Sequence, residues 1–245
     1  MGLLEDWPRS QASLQSLADE INENAVTFSH ATVTNATGDT PIRFPKKLLA
    51  VGASYASHLQ EMGMPARKWD SMPFFTCPPT TSMIGSGQKV KYPFGTSQFD
   101  WECELVVVVG ARLHRANHEQ AARAIAGYTI GLDWSCRDLL ARKIGGLVDL
   151  MRGKAQKPMK PCGPSFVSKR FASDVQNAPV KLWVNGELMI NGTTADMIWK
   201  PEEYLAEIGK LVTLGPGDMI MTGIPAGSAK SHGGRWLKIG DRISA

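Results

Sequence analysis

Two glutamates separated by one residue stand at the start of an apolar run, in the segment DWECELVVVV at residues 100–109. Side chains on a β-strand alternate between its two faces, so Glu102 and Glu104 are expected on the same side, roughly 7 Å apart along the chain. Like charges at a buried site are costly unless a cation neutralises them, and carboxylate oxygens suit Mg²⁺, Mn²⁺ or Ca²⁺. The pair predicts a divalent-metal site, but two solvated glutamates at the end of a strand would give the same pattern.

A third carboxylate follows a second apolar run. Residues 128–132 predict a buried strand, and Asp133 comes directly after it. Together with Glu102 and Glu104, Asp133 could supply a third oxygen ligand and leave positions open for substrate and water. Its residue type would equally suit the cap of a helix that begins near Ser135.

A histidine and a glutamate three residues apart form a possible acid–base pair. His58 and Glu61 lie in residues 55–62, where the pattern predicts a short helix, and one helical turn would place them on the same side. A glutamate that orients a histidine produces a general base able to activate water. A surface pair without function would have the same spacing.

Two cations lie near these groups in the sequence. Lys154 follows Arg152-Gly153 and could stabilise a developing anion, or it could be solvated, as most lysines are. Arg137 could bind a carboxylate with both of its terminal nitrogens, or it could pair with Asp138.

The composition is that of a soluble globular protein. The chain has 245 residues, of which 43% are hydrophobic and 20% charged, and this size fits one large domain or a domain with an appendage. A net charge of +4 without a dense basic stripe argues against a nucleic-acid partner. No signal-peptide pattern or bilayer-spanning run is present, and the four cysteines lack zinc or redox spacing. We therefore expect reduced thiols, a cytoplasmic location and no membrane partner.

Predicted strands outnumber predicted helices. Helices are predicted at 8–24, 55–62, 117–126, 135–143 and from 201, and residues 144–164 are predicted to form a long loop. Strands are predicted at 48–53, 74–75, 99–109, 128–132 and 219–222, with a hairpin at 180–190 that turns at Asn185-Gly186. Regular β–α alternation and phosphate-binding glycine motifs are both missing, which favours an α+β, mostly β fold over a nucleotide-binding sheet.

The candidate segments also occur in the order of a known protein family. The matching segments are Val51-Gly52-Ala53-Ser54-Tyr55 with His58 and Glu61, Pro78-Pro79-Thr80, Glu102-Cys103-Glu104-Leu105, Gly127-Tyr128 through Asp133 to Arg137-Asp138, Val184-Asn185-Gly186-Glu187, Thr194-Ala195-Asp196-Met197-Ile198, Leu214 to Asp218, and Thr222-Gly223-Ile224-Pro225 to Gly227. From about Lys47 to Asp241 the chain resembles the fumarylacetoacetate hydrolase superfamily.

This resemblance implies a mixed β-sandwich roll that pairs as a homodimer. It implies Mg²⁺ or a similar ion on Glu102, Glu104 and Asp133, with Lys154 lining the substrate site and His58 and Glu61 on a mobile lid. Tyr55, Arg137 and Ile224 are then the expected substrate-binding residues. The implied division is an N-terminal segment, residues 1–45, made of a helix and a connector, followed by a catalytic domain at residues 46–245.

Several positions depart from the family pattern. Ser54, Leu140, Lys157 and Ile224 stand where many relatives have Asn, Gln, Asp and Thr. These changes remove polar groups and add a charge near the pocket, so a bulkier or less acidic diketone is expected in place of a small acylpyruvate. The sequence also ends soon after Gly240-Asp241, where relatives usually continue with another strand. That edge of the fold is expected to be lost, replaced or outside this sequence.

Three functions fit these residues. The leading hypothesis is hydrolytic cleavage of a C–C bond in a β-diketo acid or related diketone, with His58 activating water. The alternative is decarboxylation or keto–enol isomerisation of a 2-oxo acid such as oxaloacetate at the same metal site. The third is a non-catalytic metal-binding relative, which the departures favour and the retained candidate residues disfavour.

Overall fold

The chain folds around a curled, mixed β-sheet, and the computed structural model describes residues 2–34, 36, 38–77, 79–141 and 148–245. The helices are α1 (Trp7–Glu23), α2 (Ala56–Glu61), α3 (Pro79–Ser82), α4 (His118–Arg123), α5 (Arg137–Leu140), α6 (Leu150–Lys154) and α7 (Pro201–Leu211). The strands are β1 (Leu48–Val51), β2 (Phe74–Cys77), β3 (Met83–Gly85), β4 (Phe99–Asp100), β5 (Cys103–Val109), β6 (Ile125–Leu132), β7 (Ser135–Cys136), β8 (Lys160–Cys162), β9 (Val167–Ser168), β10 (Pro179–Val184), β11 (Glu187–Thr193), β12 (Met219–Met221) and β13 (Ile243–Ser244).

The main sheet contains eight strands. Its order is β2-β1-β12-β5-β6-β8-β3, and β9 pairs with β6 beside this path. The pairs β1–β12 and β3–β8 are parallel, and the other pairs are antiparallel. A second sheet has the order β11-β10-β13, and β4 pairs separately with β7. The predicted α+β, mostly β roll is confirmed.

Strand β5 shows how the sheet separates two cores. Val106 and Val108 lie in an inner core with Met219 and Met221 of β12. The intervening valines of β5 face the opposite core, where helices α4 and α7 cover the sheet. Because side chains alternate along a strand, a run of consecutive valines can fill both cores at once. The predicted strand at 99–109 is present but is divided into β4 and β5, with Trp101 and Glu102 between them.

The predicted hairpin turn is also present. Strands β10 and β11 are joined by Asn185 and Gly186, whose φ angles are 54° and 84°. Positive φ at both central positions is the requirement of a type I′ turn, and asparagine followed by glycine meets it at the lowest steric cost.

A third core lies on this smaller sheet and includes Trp101 and Trp134.

Three local predictions differ from the structure. The predicted helix at 135–143 is strand β7 followed by the single turn of α5, and its last two residues lie outside the described residues. The predicted loop at 144–164 contains α6 and β8 where it is described, because tertiary pairing overrides the glycine- and proline-rich composition. Beyond Gly240-Asp241 the chain still forms β13, which pairs with β10.

The N-terminal segment packs on the main sheet. The predicted helix is α1, whose first turn is capped by Asp6. Trp7 meets the ring of Phe166 edge to face with centroids 5.2 Å apart, and Gln11 Nε2 donates to Ser168 Oγ at 2.8 Å. Within the described ranges, no helix is both long and apolar enough to cross a membrane. The division of the chain at residue 45 stays a prediction.

Gly127 in β6 provides a test of this packing. A Cβ atom there would lie 2.1 Å from the carbonyl oxygen of Val167 in β9 and 2.7 Å from the ring of Phe166. We therefore expect Gly127→Ala to lower the free energy of unfolding by about 1–3 kcal/mol, because backbone must shift to relieve the overlap. Equilibrium denaturation in urea would measure the change.

Gly52→Ala is the matched control. The nearest atom to a Cβ at Gly52 is Pro73 Cγ at 3.9 Å, an ordinary contact. This control should change stability by less than about 1 kcal/mol. Equal losses in the two variants would contradict the close approach of β6 to β9.

Candidate active and metal site

Three buried carboxylates converge at the ends of two neighbouring strands. Glu102 precedes β5, Glu104 lies within it, and Asp133 follows β6. Strand pairing places Cys103 opposite Leu132, and the Asp133 amide donates to the Glu102 carbonyl at 3.0 Å. Each of the three carboxylates is at most 5% exposed, and each offers an oxygen within 4.8 Å of the others. The structure thus brings the three predicted metal ligands together.

Lys154 reaches into this triad from the last position of α6. Its Nζ lies 2.9 Å from Glu102 Oε2 and 2.6 Å from Asp133 Oδ2. The predicted solvated alternative does not apply, because Lys154 is buried. Its ammonium group instead supplies positive charge among the carboxylates.

The triad belongs to a longer series of charges with alternating sign. The series runs Asp100, Arg137, Glu102, Lys154, Asp133, Lys160, each in ion-pair contact with the next. Arg137 spans its first part: Nε donates to Asp100 Oδ2 at 2.8 Å and Nη2 to Glu102 Oε1 at 2.6 Å. Each internal member of the series therefore has opposite charge on both sides.

Glu104 lies beside this series as an additional negative charge. Its Oε2 accepts a hydrogen bond from the Gly223 amide at 2.5 Å. Burial raises the pKa of Glu104, and the charges of Asp133 and Glu102 raise it further, well above its usual range. A carboxyl in this position gives up its proton readily only when more positive charge arrives.

The pKa values of Glu102 and Lys154, in contrast, are shifted so as to favour the charged form of each group. Burial by itself would raise the pKa of Glu102, but Lys154 and Arg137 outweigh it and hold the pKa well below the usual value. Burial would lower the pKa of Lys154, but Asp133 and Glu102 outweigh it and raise the pKa. Glu102 and Lys154 are thus charged at neutral pH.

This donor set fits a divalent cation. It offers three converging carboxylates, which are the hard oxygen ligands that Mg²⁺ and Mn²⁺ prefer. With every group ionised, the alternating series and Glu104 together carry one excess negative charge. A buried excess of this sign favours a further cation.

His58 and Glu61 form the expected pair on α2. His58 Nδ1 lies 2.6 Å from Glu61 Oε2, which leaves Nε2 as the ring nitrogen outside the pair. Glu61 Oε1 also accepts the amides of Gly227 and Ser228 at 3.1 and 3.2 Å. Burial by itself would raise the pKa of Glu61, but hydrogen bonds with His58, Ser231 and Gly227, that of His58 foremost, lower it to about 2.

Helix α2 is tied to the loop that follows β12. The Ser57 amide donates to Asp196 Oδ2 at 2.9 Å, and the Ser57 hydroxyl contacts the same oxygen. The Ala226 amide donates to that hydroxyl at 3.0 Å. In this structure, the segment predicted to be a lid is held against the loop after β12.

The three predicted substrate-binding residues occupy different environments. Tyr55 is fully buried, and burial raises the pKa of its hydroxyl well above the usual value. Ile224 is buried and follows the glycine whose amide contacts Glu104. Arg137 directs its guanidinium at Asp100 and Glu102, which orients Glu102.

Sequence reasoning missed Lys160 and Asp100. Lys160 is fully buried, and its Nζ lies 2.7 Å from Asp133 Oδ1. Lys157, the expected additional charge near the pocket, is exposed instead. A lysine in a proline-rich segment carries no local signal of burial, because its position depends on the pairing of β8 with β3. Pro78 of the predicted family turn lies outside the described residues.

Two curated relatives have sequences similar to this chain. It is 31% identical over 217 residues to the mitochondrial oxaloacetate tautomerase fahd2 of Xenopus laevis, covering 89% of this chain and 66% of that protein. It is 32% identical over 212 residues to the oxaloacetate tautomerase YcgM of Escherichia coli K12, covering 86% of this chain and 94% of that protein. The matched part spans only 58% of the length of several mammalian relatives.

Solved structures show the same likeness. The crystal structure of fumarylpyruvate hydrolase from Pseudomonas aeruginosa, in complex with Mn²⁺ and pyruvate, matches with a TM-score of 0.71 and 27% identity. The match covers 86% of this chain and 88% of that one. The model of the fumarylacetoacetate (FAA) hydrolase C-terminal family matches residues 47–245. The order of the motifs, the fold and this match agree, and the chain belongs to the fumarylacetoacetate hydrolase family.

Proposed function

We propose that this protein catalyses the keto–enol tautomerisation of a 2-oxo acid of the oxaloacetate class with the help of a divalent metal ion. The observation that carries the proposal is the presence of an acid–base pair and a set of buried metal ligands in one part of the structure. A histidine oriented by a partly buried glutamate lies on a helix that is hydrogen-bonded to the loop after β12. The same loop donates the Gly223 amide to Glu104, one of a buried triad of oxygen ligands that also contains a lysine. Tautomerisation needs both, because a proton leaves carbon while negative charge develops on oxygen.

Each residue has a defined part in this proposal. Glu102, Glu104 and Asp133 would hold Mg²⁺ or Mn²⁺, which when bound polarises the substrate's carbonyl oxygen. In the keto-to-enol direction, His58 Nε2 takes the proton from the carbon between the two carbonyl groups and the carbonyl oxygen gains a proton from water; the reverse transfers give the keto form. Glu61 keeps the histidine ring oriented. Lys154 Nζ donates to the oxygen on which charge develops. Tyr55, Arg137 and Ile224 shape or support the substrate pocket.

The alternative hypothesis of the sequence analysis is thus preferred to hydrolysis. The similar curated proteins include oxaloacetate tautomerases, among them a bacterial one of comparable length. Tautomerisation also requires fewer positioned groups than hydrolysis, because it needs no attacking water molecule. The remaining parts of the proposal are a catalytic domain at residues 46–245 after an N-terminal segment at 1–45, a homodimer, and a cytoplasmic location.

Turnover of oxaloacetate tests the function directly. We expect the purified protein with Mg²⁺ or Mn²⁺ to accelerate the conversion of enol to keto oxaloacetate, followed by the loss of enol absorbance, and excess chelator to abolish this. His58→Gln should lower the rate by about 10²-fold or more, the usual contribution of a general base, while Mn²⁺ binding is kept. Unchanged turnover in His58→Gln would remove His58 from this role, and turnover that survives chelation would contradict the metal site.

Replacement of Glu104 separates metal binding from stability. Glu104→Gln should weaken Mn²⁺ binding about 100-fold or more, measured by calorimetry, because one carboxylate ligand is lost. Without metal, the variant should be more stable than the wild type at pH 7. The raised pKa of Glu104 means that folding disfavours its ionised form, and this cost is present above the unfolded-state pKa and absent at lower pH.

The exposed Glu119 offers a control for that variant. Glu119 pairs with Arg123 at the surface, so Glu119→Gln should change neither Mn²⁺ affinity nor stability measurably. Thermal unfolding of both variants with excess chelator gives the comparison. A less stable metal-free Glu104→Gln at pH 7 would contradict the uncompensated charge.

The pH dependence of stability tests the His58–Glu61 pair. Glu61 has a pKa of about 2 in the folded protein, below its unfolded value of about 4.5. Its contribution to stability is therefore complete above pH 4.5 and is lost as the pH falls towards 2. Glu61→Gln should cost about 1–3 kcal/mol at pH 7, with a difference from wild type that shrinks between pH 5 and 2 in urea denaturation. A difference independent of pH would contradict this pairing.

Hydrolytic cleavage is the second candidate. The similar Pseudomonas structure is a fumarylpyruvate hydrolase, and the His58–Glu61 pair is equally suited to activating water. Mass analysis of products from a panel of acylpyruvates and longer β-diketones separates the two. Cleavage that adds the elements of water, without acceleration of oxaloacetate tautomerisation, would favour hydrolysis.

A further inference from the structure

Lys160 is a fully buried cation behind the proposed metal site. It begins β8, where it lies opposite Met83 of β3. Its exposure is 0%, and its Nζ donates to the carbonyl oxygens of Trp134 and Met159 at 3.2 and 3.4 Å. These contacts hold the amino group of Lys160 in a fixed position.

Lys160 matters for the proposed metal site because it contacts Asp133, one of the proposed ligands. Asp133 Oδ1 lies 2.7 Å from Lys160 Nζ, and Asp133 Oδ2 lies 2.6 Å from Lys154 Nζ. Both oxygens of one proposed ligand are therefore covered by ammonium groups. Lys154 also contacts Glu102, whereas Lys160 reaches Asp133 from β8.

We propose that Lys160 makes binding of the divalent ion dependent on an anionic substrate. The inference rests on the proposed metal-dependent function and deepens it. With every group ionised, the alternating series and Glu104 carry one excess negative charge, so a divalent ion alone leaves one excess positive charge. One carboxylate of a 2-oxo acid then offsets this positive charge, and the second carboxylate of a dicarboxylate such as oxaloacetate adds one further negative charge.

Removing the charge of Lys160 would reverse this balance. The same set would then carry two excess negative charges, and a divalent ion alone would neutralise it. Charges buried together interact strongly because water and salt screen them little. Lys160 thus lowers the affinity for the ion alone and leaves positive charge for the anion, which favours anionic substrates over neutral diketones.

Calorimetry with Mn²⁺ and oxalate tests this coupling without any turnover. Oxalate serves as an unreactive anion that can chelate the ion through two oxygens. In the wild type, saturating oxalate should tighten Mn²⁺ binding by about tenfold or more, and Mn²⁺ should tighten oxalate binding by the same factor. In Lys160→Gln, Mn²⁺ alone should bind about tenfold tighter or better than in the wild type, and the coupling to oxalate should fall below about threefold.

A lysine at the opposite end of β12 provides the matched control. Lys47 pairs with the buried Asp218 at 2.8 Å just before β12 begins, whereas the residues after β12 contact the triad. Lys47→Gln removes the same charge from a similar pair and should leave Mn²⁺ affinity and its coupling to oxalate as in the wild type. Glutamine at position 160 keeps a donor for the two carbonyl oxygens, and near-ultraviolet circular dichroism would verify that each variant is folded.

The outcomes separate this inference from the proposed function. Equal Mn²⁺ affinity in wild type and Lys160→Gln, or no effect of oxalate on the wild type, would overturn the inference even if oxaloacetate is turned over. The oxalate result needs no variant, so it holds even if Lys160→Gln does not fold. Absence of turnover together with the expected Mn²⁺ and oxalate coupling would overturn the proposed tautomerase and leave the role of Lys160 intact.

Discussion

Burial of negative charge is the constraint on which the site depends. Four buried carboxylates lie together with two buried lysines and the partly exposed Arg137. Glu104 lies next to carboxylates without an ion-pair partner in the alternating series. Isolated charges are expensive in such a place, so each member of the series contacts at least one opposite charge. Glu104 lacks such a contact and its pKa is raised, so a divalent ion would favour its ionised form.

The sheet supplies the rigidity that this arrangement requires. Glu104 is fixed by the pairing of β5 with β6, and the Gly223 amide that contacts it follows β12 on the other side of β5. Backbone ladders on both sides of a strand leave little freedom to separate the carboxylates and relieve their repulsion. A preorganised site of this kind needs little rearrangement to bind an ion.

The acid–base pair is held by a short helix and not by a strand of the sheet. His58 and Glu61 come from a short helix whose position depends on hydrogen bonds to the loop after β12, through Gly227, Ser228 and the hydroxyl of Ser57. The second residue of that loop, Gly223, donates its amide to Glu104. One segment of backbone therefore ties the proton-transfer pair to the proposed metal ligands.

The sequence by itself determined the local elements and most of the candidate residues. Periodicity predicted the buried strand β5, Asn185-Gly186 predicted the hairpin, and the spacing of Glu102 and Glu104 predicted their convergence, because each depends on residues close together in the chain. The order of motifs was specific enough to indicate the family. The short elements after Asp133 were predicted less well, because tertiary pairing decides between helix, strand and loop there.

Only the tertiary structure decided how the charges are paired. Lys160 and Lys157 are both lysines in one proline-rich segment, yet one is buried against Asp133 and the other is exposed. Asp100 and Arg137 are likewise 37 residues apart and meet across a pairing of short strands. Electrostatic energy depends on distance and burial, and neither can be read from positions along the chain.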